Sequence, residues 1–165
     1  MTSNNKVSVL FVCMGNICRS PAGEGVFQHY VQQQGYDNDI EIDSAGTIAY
    51  HQGEPADARM REVAAKRNYQ LTSIARKVIT NDIDSFDLII AMDHDNLYEL
   101  EALANGKQNH IRLLGSFIDG YGEDNAPSVP DPYYGGLDGF EQVLDMIESA
   151  CPNMLSHCLE LLQQK

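Results

Sequence analysis

Apolar, β-branched runs alternate along this chain with segments of helical period, and glycine, proline or polar clusters mark the changes. The run Val7-Ser8-Val9-Leu10-Phe11-Val12 leads to Cys13 as a first strand. A helix is expected from Pro21 to about Gln34, with Ser20 as N-cap, Pro21 at the first helical position and Gly35 as its stop. Gly23 and Gly25 weaken its first turns, so close packing has to compensate. A short strand at Ile40 to Ser44 follows, then a helix from Asp57 to Asn68 behind Pro55. Asp87 to Met92 reads as a buried strand, Asn96 to Ala104 as a helix, and His110 to Leu114 as a short edge strand. From Gly115 to Gly136 glycine, proline and acidic residues dominate, a loop long enough to suggest function. Phe140 to about Leu162 closes the chain as a helix broken at Cys151-Pro152.

Strands alternating with helices indicate an α/β fold. The expected architecture is three-layered: a four-stranded parallel twisted sheet, helices on both faces, and a phosphate-binding loop after the first strand. Ligands of such sheets bind at the carboxyl ends of the strands. With no repeat and no linker, residues 1–165 read as a single domain, large enough to form a core without metal or disulfide support.

Composition and charge narrow the setting. Met1 to Lys6 lacks the features of a secretory leader, and no run approaches the roughly 20 apolar residues of a membrane span. A cytoplasmic protein without a membrane partner is expected. Cys13 and Cys18 lie five apart, and Cys151 and Cys158 fall about two turns apart on one helix, as packing residues; this is neither a disulfide framework nor zinc-ligand spacing. The net charge of −13 argues against a nucleic-acid partner. Screening over about 8 Å leaves a local anion site insulated from distant carboxylates.

The candidate chemistry lies in CMGNICRS, Cys13 to Ser20. The strand delivers a sulfur to the sheet edge, and the helix behind it aims unpaired N–H groups and a partial positive charge at the same spot. Arg19 adds a planar fork of donors that matches two oxygens of a tetrahedral anion. Gly15 lets the loop turn back so that successive N–H groups converge. Ser20 is placed to donate a hydrogen bond to the sulfur, and a thiolate there is the nucleophile these surroundings favour. Expelling an alkoxide or phenoxide needs a proton donor, and Asp131, stiffened between Pro130 and Pro132, is the candidate acid. Tyr133 and Tyr134 beside it would wall and partly desolvate a pocket. Asp93-His94-Asp95, which superficially suggests metal ligands, reads instead as a helix-capping cluster. No motif calls for a metal or another cofactor.

These residues resemble the low-molecular-weight protein tyrosine phosphatases along nearly the whole chain. The matching pieces are VLFVCMGNICRSP, DSAGT at Asp43 to Thr47, Ala75-Arg76, FDLIIAMD ending at Asp93, and DPYYGG at Asp131 to Gly136. The resemblance implies Cys13 as nucleophile, Arg19 as phosphate clamp and Asp131 as general acid and base, acting through a cysteinyl-phosphate. It makes the loop residues Met14, Gly15, Asn16, Ile17 and Cys18 contacts of the substrate, with Tyr50, Tyr133 and Tyr134 at the mouth that accepts an aromatic ring. Asn16 and Ser44 correspond to a polar pair that holds the loop, and Ser20 to the hydroxyl that tunes the thiolate. Cys18 corresponds to a redox-protective cysteine that pairs with Cys13 on oxidation. Ser73 stands where many relatives carry a loop-supporting histidine; serine is shorter, so its support for Asn16 and Ser20 is expected to be weaker or to run through water. A phosphotyrosine-containing protein, such as an autophosphorylated tyrosine kinase, is the implied partner, with the enzyme a monomer or a weak dimer through Tyr133 and Tyr134.

Rival readings use the same cradle. A thioredoxin-coupled arsenate reductase needs further cysteines near residues 80 to 90, where this chain has none. A protein arginine phosphatase resembles the family but carries threonine at the position of Ile17, whose apolar side chain suits a phenyl ring. A non-catalytic phosphate-binding module would not need nucleophile, arginine and acid together.

Overall fold

The computed structural model describes residues 5–165; residues 1–4, the start of the segment read as lacking a leader, lie outside them. Four parallel strands form one sheet: β1 (Val7–Cys13), β2 (Ile40–Gly46), β3 (Leu88–Ala91) and β4 (Ile111–Leu113), in the order β2-β1-β3-β4. The α/β class, the strand number and the edge position of β4 are as expected. β2 continues two residues beyond Ser44, because its register carries Gly46 opposite Cys13.

Period-two alternation divides β1 between two cores. Val7, Val9, Phe11 and Cys13 face one layer, where α1 (Arg19–Gln33), α2 (Ala58–Ala65) and α5 (Leu137–Gln163) cover the sheet. Leu10 and Val12 face the other, with α3 (Thr80–Ser85) and α4 (His94–Leu103) supplying Ile83 and Leu100. The sequence reading had no helix at α3. Its six residues carry little periodicity, and Asp82 starts it by accepting from the Ile79 N–H at 2.8 Å.

The expected compensation for the glycines of α1 is present. A Cβ on Gly23 would stand 2.6 Å from Phe11, and one on Gly25 would stand 2.3 Å from Leu71. Their absence lets the helix lie against β1 and the 68–73 segment.

Two expectations about helix ends are corrected. α1 starts at Arg19 rather than Pro21, Cys18 precedes it without a side-chain cap, and the Ser20 hydroxyl turns to Cys13 instead of the helix amides. The C-terminal helix begins at Leu137 and runs unbroken through Pro152. Its apolar stripe, including Val143, Ile147, Ala150, Met154 and Cys158, stays buried along its length. That packing outweighs the roughly 3 kcal/mol that an interior proline costs a helix. Cys151 and Cys158 lie in this core, where burial pushes each thiol up to about 12.

The segment after β4 begins as a 3-10 turn, Leu114–Phe117, and then runs irregularly to α5. It is anchored by the Val129 N–H, which donates to Met92 O at 2.8 Å beyond β3. Gly115 permits its closest approach: a Cβ there would meet Pro127 O at 2.0 Å. Asp131 is thereby returned to the sheet edge where β1 ends.

Candidate active site

Cys13 ends β1 nearly fully buried, and residues 14–18 curl over its sulfur before α1 begins. The turn is made by Asn16 in the left-handed region (φ 57°), which asparagine tolerates better than most residues. Its N–H donates to Cys13 Sγ at 3.3 Å. Its side chain points inward and is satisfied at both ends: Nδ2 donates to Ser20 Oγ (2.8 Å) and Ser44 Oγ (3.0 Å), while Oδ1 accepts from the Arg76 N–H (3.0 Å). Ser20 Oγ lies 3.0 Å from Cys13 Sγ. That oxygen accepts from Asn16, and its own proton has two acceptors within reach, Cys13 Sγ and Ala45 O at 3.3 Å.

Gly46 closes the floor. A Cβ on it would stand 2.7 Å from Met14 O and 3.1 Å from Asn16 Cβ. The Thr47 and Ile48 amides donate to Cys13 O and Met14 O at 2.9 and 3.1 Å, and the Asp57 N–H donates to Ile17 O at 2.7 Å. Loop carbonyls are thus tied to the residues just after β2 and to the N-cap of α2. The helix N-terminus remains aimed at the cleft.

Arg19 is almost wholly buried and held from three directions. Nη1 donates to Asp93 Oδ2 at 2.5 Å and to Val129 O at 3.1 Å, and Nη2 lies 3.6 Å from Asp131 Oδ2. Burial works against its charge, but the Cys13 sulfur, Asp93 and Asp131 outweigh it and hold the guanidinium above its ordinary range. Asp131 Oδ1 accepts from the Tyr133 N–H at 3.1 Å, an Asx turn that fixes the carboxylate toward the cleft. Burial, then Asp57 and Cys13, pushes the Cys18 thiol well up, so it stays protonated.

A cleft of about 290 Å³ collects most of the residues expected there. Cys13, Arg19 and Asp131 meet in it, with Met14, Gly15, Ile17 and Cys18 at its base and Tyr50, Tyr133 and Tyr134 around its mouth. Tyr133 and Tyr134 pack edge to face, centroids 5.0 Å apart, and the Arg59 guanidinium sits 5.2 Å from the Tyr133 ring. Asn16, placed among the substrate contacts by the resemblance, has its side chain beneath the cleft, together with Ser20 and Ser44.

The family model for low molecular weight phosphotyrosine protein phosphatase matches residues 8–165. The chain belongs to that family. It is 41% identical to a low molecular weight protein-tyrosine-phosphatase of Streptomyces coelicolor, over 94% of this chain and 95% of the relative. A crystal structure of a protein tyrosine phosphatase from Entamoeba histolytica, with Hepes in its active site, superposes with a TM-score of 0.86 at 43% identity, covering 94% and 98% of the two chains. An arginine phosphatase of Drosophila shares the fold at a TM-score of 0.80 and 33% identity, over 90% and 96%. The protein is accordingly a phosphotyrosine protein phosphatase, a hydrolase.

Several residues of this phosphatase site escaped the sequence reading. Asp93 was read only as a helix cap, a role it has by accepting from the Asn96 N–H at 2.8 Å, but its second oxygen binds Arg19. The signal was present, since an acid at the carboxyl end of a strand beside β1 faces the same edge. Glu24 was not singled out, yet it accepts from Ser44 Oγ at 2.6 Å. Its i, i+4 spacing from Ser20 places both on the helix face toward β2. Ile48 and His51 also line the cleft, and nothing in their sequence neighbourhood marks them. Among the described residues the Ser73 hydroxyl is buried without a hydrogen-bond partner, so it makes no direct bond to the loop, and Glu24 is the group that underpins Ser44. A serine is too short to reach the loop from that segment.

Proposed function

We propose that this single catalytic unit hydrolyses phosphotyrosine, and aryl phosphates generally, through a cysteinyl-phosphate. The observation that carries the reading is the convergence of Cys13, Arg19 and Asp131 on one cleft. The sulfur of Cys13 attacks phosphorus in line, and the bond to the tyrosine oxygen breaks as Asp131 gives that oxygen a proton. Water then attacks the phosphorus, Asp131 takes its proton, and the Cys13 sulfur leaves as thiolate carrying the bonding pair. Arg19 and the loop amides hold the equatorial oxygens through both steps. Asn16 N–H and Ser20 Oγ support the sulfur whenever it is anionic. Ile17 and the tyrosines form apolar and aromatic walls for a phenyl ring, which favours phosphotyrosine over phosphoarginine.

The substrate of this reading is a phosphotyrosine-bearing protein, an autophosphorylated tyrosine kinase among them, met by a monomer or a weak dimer. Cysteine spacing that builds no disulfide framework supports a cytoplasmic assignment. Cys18 beside the nucleophile supports reversible protection by a Cys13–Cys18 disulfide, with two thiol protons and two electrons passing to a peroxide oxidant. Hydrolysis of an aryl phosphate in chelator, by wild type, Cys13→Ser and Asp131→Asn, tests the mechanism. Turnover should vanish in the first variant and fall strongly in the second. Full turnover by Cys13→Ser would reduce the loop to an anion-binding site.

A further inference from the structure

The hydrogen-bond chain that leaves the loop opens onto a second cleft. It runs from Cys13 through Ser20, Asn16 and Ser44 to Glu24 Oε1. Glu24 in turn lines a hollow of about 300 Å³ between α1 and residues 68–73, at the small end of ligand-pocket volumes. Its walls include His29, Tyr69 and Ser73, but no lysine or arginine. The His29 and Tyr69 rings pack edge to face with centroids 5.2 Å apart, and a tyrosine ring is of the kind that attracts cations. Among the described residues, Ser73 Oγ is buried without a partner. A carboxylate, an aromatic wall and an unused hydroxyl together suit a small cation with N–H donors.

We propose that this cleft is a ligand site for a small organic cation of the amine or guanidinium class, coupled to the catalytic loop through Ser44 and Asn16. Only the coupling rests on the function proposed above. Burial pushes the Glu24 carboxyl above its ordinary range, Asp43 adds to this, and the Ser44 bond and the Arg76 guanidinium oppose it. His29 is the remaining titratable group on the α1 side of the cleft, and Tyr69 stands on the other. A bound cation offsets the desolvation and keeps Glu24 ionised. Ionised Glu24 can only accept, so Ser44 must donate outward and its lone pairs stay free for Asn16. Protonated Glu24 competes with Asn16 for that same oxygen. The cation therefore fixes the direction of the chain that ends on Ser20 and the sulfur.

The test is an NMR titration of the full chain with methylguanidinium chloride, against sodium chloride at matched ionic strength, paired with alkylation of Cys13 by iodoacetamide. Saturable amide shifts are expected at Gly25, His29, Tyr69 and Ser73 but not at Tyr50 or Tyr134, with Cys13 alkylated about twofold faster at saturation. Glu24→Gln should lose both responses. His29→Ala, on the α1 wall but outside the hydrogen-bond chain, should weaken binding while leaving alkylation without the probe unchanged. Absence of saturation, shifts confined to the mouth, or full binding by both variants would overturn the site. Saturation with unchanged alkylation would overturn the coupling. The shifts ask nothing of turnover, so a chain inactive on aryl phosphates could still carry the site.

Discussion

Arg19 takes its geometry from Asp93, and the two roles of that aspartate can be separated by one substitution. Oδ1 caps α4 while Oδ2 holds the guanidinium. Asparagine caps a helix about as well as aspartate but brings no charge to Arg19. Asp93→Asn should therefore keep its melting temperature within a few degrees of wild type. Hydrogen bonds to charged groups contribute about 1.5–3 kcal/mol, so kcat/KM on an aryl phosphate should fall roughly ten- to a hundredfold. A fall in melting temperature with no loss of kcat/KM would make Asp93 a cap and nothing more. Asp57 offers a second separable case, at the N-cap of α2. Burial tends to raise its carboxyl, but hydrogen bonds from the Arg59 side chain and backbone outweigh this and hold it below the ordinary carboxylate range. A depressed folded value contributes stability above the unfolded value, near pH 3.9, that is lost as the pH falls through the folded one. Asp57→Asn keeps a cap without that charge, so the gap in melting temperature between wild type and variant should be widest near neutrality and close in acid.

At the scale of elements, the clearest tension is Pro152 inside α5. It is exposed, donates no N–H to Glu148 O, and sits in a helix held by its buried stripe rather than by local preference. Pro152→Ala should restore that bond and raise the melting temperature by a few degrees, with kcat unchanged. A lower melting temperature would mean that the proline's fixed φ suits a bend the core requires. This helix also marks the limit of local reading. A proline in sequence signals a break, and only the uninterrupted apolar face, packed on a sheet that comes much earlier in the chain, overrides it. β1 and its loop were legible because period, glycine and proline all agreed there. α3 was not, because six residues hardly repeat a helical period. Ser20 was legible in part: its bond to Cys13 is made as the loop pattern implies, but the local signature of a cap, a serine before a proline, misleads, because the hydroxyl cannot serve both the sulfur and the helix amides. Ser73 was named as loop support and Glu24 was missed because reach across a gap depends on side-chain length and backbone path, neither of which the linear pattern records.

For the molecule as a whole, strand order does what no single element can. With β1 between β2 and β3, the carboxyl ends of three strands bring Cys13, Ser44 and Asp93 to one edge, and the anchored segment after β4 adds Asp131. The resulting anion site is built on Arg19 and loop amides inside a chain whose net charge is −13. Two fields of opposite sign therefore act on an incoming phosphate ester: a short-range attraction within the cleft and a long-range repulsion from the surface. The Debye length falls from about 30 Å at 0.01 M salt to about 8 Å at 0.15 M, so added salt removes the repulsion first and leaves contacts within the cleft nearly intact. KM for an aryl phosphate should consequently fall, by about twofold, as sodium chloride is raised over that range, with kcat steady. A cationic mouth would give the reverse. If KM rises with salt, the attraction of Arg19 and Arg59 extends beyond the cleft and outweighs the acidic surface at the distances where encounter is decided.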